Sequence, residues 1–152
     1  MLPISREEYG YTQGMISFLN ALRVVFKVLF GAFFIFGGFN HFRDPGFYLR
    51  MMPPWLPAHL EIIYVTGVIE IALGALFLIP RFTRPAAWGL MALLVVIFPA
   101  NIHMAMHPEL FPEFSPLGLW IRLPLQAVMI AVAWAYAMNP KRPKHDRAKI
   151  PD

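Results

Sequence analysis

Six polar side chains interrupt stretches of this chain that are otherwise oily: His41, Glu70, Asn101, His103, Arg122 and Gln126. Their chemistry is that of proton exchange and of polar recognition. A carboxyl group in apolar surroundings and an imidazole can each give or take a proton. An arginine offers a rigid fork of donors to an anion or a carbonyl. An ionisable group at the centre of a membrane-spanning helix costs about 2.5–3.5 kcal/mol on insertion scales, so each needs a reason to be there.

Glu70 lies midway along LEIIYVTGVIEIALGALFLI, residues 60–79. At about 100° per residue, Ile63, Thr66, Gly67 and Gly74 share its face. Small residues let another helix come close, so Glu70 is expected to point into a bundle. There it serves as a proton donor or acceptor, as a ligand-binding acid, or as a hydrogen bond that fixes helix packing. Glu61, nine positions earlier, faces the other way and reads as a snorkelling carboxylate.

His41 closes LRVVFKVLFGAFFIFGGFNH, residues 22–41, on a face with Gly31, Phe34, Gly37 and Gly38. Asn40 reads as a helix C-terminal residue, because asparagine tolerates the left-handed conformation found there. Asn101 and His103 follow Pro99, which removes a helical hydrogen bond and disturbs the phase. The small-residue face favours His103 as the inward group, whereas Asn101 could satisfy freed carbonyls, and both stay candidates. Arg122 and Gln126, four apart, share a face with Met129 and Ala133. Arg122 either snorkels to lipid phosphate, binds an anionic or carbonyl group, or pairs with an acid.

Together these groups form a ladder, with His41, His103 and Arg122 near one surface and Gln126 deeper. Helical rise puts Glu70 roughly 15 Å below the histidines, too far for one metal ion to join them, so no metal site is expected.

The elements that position the ladder follow from composition. The chain has 152 residues, 58% hydrophobic and 14% charged, with mean hydropathy +0.54. Soluble domains average roughly 45–50% apolar and about 25% charged. Four runs are long enough to span a bilayer, at residues 22–41, 60–79, 85–106 and 119–138. The fold expected is an all-α, integral membrane, antiparallel four-helix bundle occupying residues 1–140, with a basic tail at 141–152. The absence of cysteine excludes thiol redox chemistry by this chain alone. The net charge of +4 comes from residues that flank the spans, which argues for a lipid bilayer and against nucleic acid as the partner. Ten of the 13 Lys and Arg fall on the side that holds both termini and the loop PRFTR, so both termini are expected in the cytoplasm. The connections 42–59 and 107–118 are rich in aromatics and prolines and read as two interfacial flaps over the other mouth. There is no soluble catalytic domain, nucleotide-binding loop or nucleophile motif in the sequence.

The blocks FGGFNHF, YVTGVIEIALGALFLIP, GLMALLVVIFPANIHMA and WIRLPLQ resemble the DoxX family of small four-helix bacterial membrane proteins. That resemblance implies the bacterial inner membrane, a link to quinone-coupled or thiol-handling redox systems, and polar positions at His41, Glu70, Asn101, Arg122 and Gln126. It leads to two expectations. The first is a redox subunit binding a quinone, with Glu70 relaying a proton, no intrinsic cofactor, and a periplasmic or cytoplasmic protein partner for electrons. The second is a non-catalytic lipid-binding, assembly or carrier protein. Homo-oligomerisation is left open.

Overall fold

The structure, a computed structural model, describes residues 6–138; the basic tail expected at 141–152 lies outside them. The described residues are helical throughout, without strands. Five α-helices, α1 (Arg6–Arg43), α2 (Pro45–Met51), α3 (His59–Leu78), α4 (Thr83–Met106) and α5 (Pro116–Met138), are joined by short connections and one 3-10 turn, Pro108–Leu110. All but α2 are long and apolar enough to cross a membrane. The first long helix begins well before residue 22 and runs 38 residues, about 57 Å at 1.5 Å per residue.

The long helices alternate in direction. Gly31 packs on Gly74 and Gly38 on Gly67, so α1 and α3 run antiparallel with their backbones nearly touching. A Cβ on Gly38 would sit 2.6 Å from the Gly67 carbonyl oxygen, closer than any side chain tolerates. The four-residue connection 79–82 folds α4 back on α3, and α5 returns along α4, while the backbones of α1 and α5 stay apart over most of their length. Lys27 donates to the Leu78 carbonyl at 3.2 Å, a cation at the C-terminus of α3.

Two apolar clusters hold the bundle. At the end that carries the 79–82 connection, Phe30, Phe34, Phe77, Ala86, Ala87, Leu90, Ala133 and Ala137 fill the space between all four long helices. At the opposite end Met51, Met104, Ala105, Phe111 and Leu119 pack the two flaps onto α4 and α5. The outer faces are as oily as the interior, with Val24, Leu29, Phe36, Val65, Val95 and Val128 at least half exposed. That inversion suits a lipid surround.

The flaps have more structure than a loop. Asp44 caps α2 by accepting from the Phe47 amide at 3.1 Å, and Pro45 occupies the first turn, where its missing N–H costs nothing. Arg50 bolts one flap to the other: it donates to the Leu110 carbonyl at 2.7 Å and to the Glu113 carboxylate at 2.6 Å, above the Phe111 ring. Beside Arg50, the exposed Glu113 carboxyl is held below the usual carboxylate range.

Candidate functional site: a cavity under the lid

Between the packed end and the flaps the four helices enclose a cavity of about 460 Å³. Its size falls in the range of small-molecule pockets. Phe33, Phe34, Leu94, Ile97, Leu125 and Met129 supply most of its wall, and Tyr48, Met51, Met52 and Trp55 of the first flap close it. The first flap is thus a lid, as expected, whereas the second flap braces the lid without lining the cavity. Five of the six sequence candidates line this space: His41, Glu70, Asn101, Arg122 and Gln126.

His41 and Glu70, both 8% exposed, meet on one wall with Nε2 3.3 Å from Oε2. This corrects the expectation that Glu70 lies about 15 Å deeper than the histidine. Two features of the packing bring them together. Gly38 set against Gly67 leaves α3 extending further toward the lid than α1. Every Cβ also tilts toward the N-terminus of its own helix, so in antiparallel neighbours His41 leans down and Glu70 leans up. Gly37 and Gly67 make the room: a Cβ on Gly37 would lie 3.4 Å from Oε2, and one on Gly67 2.8 Å from the His41 Cβ. Asn40, expected to end the helix, is helical; α1 continues to Arg43, and the Asn40 carbonyl accepts from the Asp44 amide.

Hydrogen bonding fixes how the imidazole is protonated. His41 Nδ1 lies 2.8 Å from the Ile63 carbonyl, which can only accept, so Nδ1 carries a proton. Nε2 is then the ring nitrogen turned toward the Glu70 carboxyl group. The contact is within ion-pair reach but off the line of a hydrogen bond, and Oε2 is buried without a hydrogen-bond donor. The lid secures the pair: the Tyr48 ring lies against His41 at 3.8 Å between centroids. The Tyr48 phenol is pushed up to about 12, chiefly by burial and then by Glu70, so it remains a neutral donor. Sequence reasoning counted Tyr48 only among the flap aromatics; the Asp-Pro start of a helix at 44–45 was the signal that could have placed it.

On the opposite wall Asn101 donates to Gln126 Oε1 at 3.0 Å, and Gln126 donates to the Leu94 carbonyl at 2.6 Å. Pro99 provides no N–H for the carbonyl of Val95, and its ring crowds that turn. The amide of Gln126 reaches the carbonyl next to it, bridging α4 and α5 where α4 is weakest. Asn101 is therefore the inward member of its pair. His103, the alternative, does not line the cavity; its ring stacks on His107 at 4.2 Å near the end of α4. Helix α4 continues through Pro99 to Met106, so the two residues stay on different faces.

Arg122 enters the cavity from the sixth residue position past the start of α5. Its guanidinium lies 5.8 Å from the centre of the Phe114 ring, and among the described residues it has no hydrogen bond and no acidic partner. Glu61 is exposed in the first turn of α3, as expected. Among the described residues, no three metal-ligating groups gather.

Residues 30–137 match the model of a family described as a domain of unknown function, DUF8561, and the chain belongs to that family. No curated protein and no solved structure matches the chain. The resemblance to DoxX is corrected by this match, and the bacterial redox associations it carried go with it. Glycine-lined helix faces and sparse inward polar groups are what lipid demands of any small bundle, so such blocks do not mark one family.

Proposed function

We propose that this protein is a multi-pass membrane protein that takes a small amphipathic molecule from the bilayer into the cavity and exchanges a proton with its polar end. The observation that carries this reading is the contact of His41 Nε2 with Glu70 Oε2, 3.3 Å apart on the wall of an apolar cavity of about 460 Å³. With Nδ1 committed to Ile63, Nε2 and the Glu70 carboxyl group are the atoms at which this pair can give a proton to a ligand oxygen or take one from it. Tyr48 supports the reading by shielding the pair from water, and Gln126 with Asn101 by presenting a fixed polar surface opposite. The excess of Lys and Arg at the end holding both termini supports a cytoplasmic location for them and, with it, a lid on the far face of the membrane.

Two ligand classes fit this chemistry. A quinone gains two protons with two electrons, and Glu70 would relay a proton to its carbonyl while a partner protein supplies the electrons. A lipid acid would make the protein a non-catalytic binding or carrier protein. The test is mass spectrometry of small molecules extracted from protein purified in mild detergent, for wild type and Glu70→Gln side by side. A compound held in stoichiometric amount by wild type and depleted in the variant is expected. Equal retention by both would reduce Glu70 to a packing group.

A further inference from the structure

Arg122 is the cavity-lining group whose chemistry no part of the described protein answers. The comparison with Arg50 is direct: Arg50 spends its donors on Leu110 and Glu113, while Arg122 has the face of Phe114 and the neutral Tyr48 phenol near it and no acid. The carboxyl group of the cavity faces His41 Nε2 at 3.3 Å. The amides opposite are engaged with each other and with Leu94. Arg122 is thus the permanent cation of the cavity, and among the described residues no carboxylate lies within ion-pair distance of it. A guanidinium stays protonated in any protein setting, and an unpaired charge beside apolar walls is costly. A neutral ligand leaves that cost in place, whereas an oxyanion offsets it through two parallel charge-assisted hydrogen bonds.

The walls indicate what the oxyanion is attached to. Helices α1 and α5 meet at the packed end, where the Tyr136 hydroxyl donates to the Arg23 carbonyl at 3.2 Å, and their backbones otherwise stay apart. Phe33 on α1 and Leu125 on α5 both line the cavity and yet are 57% and 56% exposed. The side of the cavity between those helices thus opens toward the surface that lipid covers. The geometry points to a binding site for an acyl-chain oxyanion, a carboxylate or phosphate, with its head on Arg122 and its chain passing Phe33, Leu125 and Met129. The inference rests on the reading of the cavity as a ligand site and selects the lipid class within it.

The test uses the full chain in nanodiscs of zwitterionic lipid. Trp88, Trp120 and Trp134 are replaced by Phe so that Trp55, which lines the cavity, reports alone. The probes are dibromostearic acid, its methyl ester, and lysophosphatidic acid bearing the same brominated chain, each titrated as a quencher of Trp55. The acid or the lysophosphatidate is expected to bind at least about tenfold more tightly than the ester, the scale of a gained charge-assisted contact. Arg122→Gln is expected to bring the three together while ester quenching persists, which also shows that the variant is folded. Preference for the carboxylate names a free lipid acid as the ligand, and preference for the phosphate names a phospholipid. Equal binding of acid and ester by the otherwise native protein overturns the inference without any variant, as does a preference that survives Arg122→Gln. If none of the probes quenches Trp55, the cavity reading itself falls with it.

Discussion

The two ends of this bundle use the same four long helices and differ in what fills the middle. At the end near the 79–82 connection, Phe77, Ala87, Leu90, Ala133 and Ala137 are fully buried and leave no space. Under the lid, the same helices present His41, Glu70, Gln126 and Arg122 around a cavity. The packed end lets small residues on α4 and α5 receive large rings from α1 and α3, so contact is continuous. At the hollow end glycines bring α1 and α3 together on one side only, and no aromatic ring enters from α5. Stability is thus concentrated at one end and chemistry at the other.

The largest effect that would test this division is expected from Phe77→Ala, which should cost about 3–5 kcal/mol and be visible as a large loss of stability in denaturant titration. A loss below about 1 kcal/mol would show that the packed end is not the anchor. Next comes Gly67→Leu, which pushes on the His41 Cβ and the α1 backbone; overpacking of this kind costs about 1–3 kcal/mol and should also separate His41 from Glu70. Infrared spectra of the carboxyl stretch, compared with Glu70→Gln, would report that separation. Gln126→Leu leaves the Asn101 amide without its acceptor and should cost about 0.6–1.7 kcal/mol, as interhelical hydrogen bonds do in membranes. Leu125→Ala, at the rim of the cavity, should change stability by less than about 0.5 kcal/mol, because half of its surface already lacks neighbours. A cost as large as that of Phe77→Ala would mean the cavity collapses around it.

The smallest effect concerns the bolt between the flaps. The Glu113 carboxyl is held below its usual value by Arg50, so its contribution is fully present above the unfolded value of 4.5. It is lost as pH falls through the lower, folded value. Protease accessibility of the lid should therefore rise only below that range, and in Glu113→Gln it should lose this pH dependence. Both groups are exposed, so the midpoint of global unfolding at neutral pH should move little.

How the residues could be read in advance depends on where their environment comes from. The inward direction of Glu70 was legible because Gly67 and Gly74 on its own helix mark the packed face. The short connection 79–82 forced α3 and α4 to be antiparallel neighbours. The choice between Asn101 and His103 was not legible, since each has a plausible face and only the placement of α5, with Gln126 waiting, separates them. The DoxX reading failed for a related reason: composition and spacing record the demands of lipid more strongly than descent.

What the amino-acid sequence determined by itself is four helices long and apolar enough to cross a membrane and the faces that pack, because hydrophobic length and helical periodicity act within one segment. Only the tertiary structure decided that His41 reaches Glu70, that Tyr48 covers them, and that Arg122 is left with no partner among the described residues. Those outcomes depend on the register of α1 against α3 and on the gap between α1 and α5. Contacts between helices are set by where side chains tilt and how far neighbouring ends are offset, and neither quantity resides in any single stretch of chain.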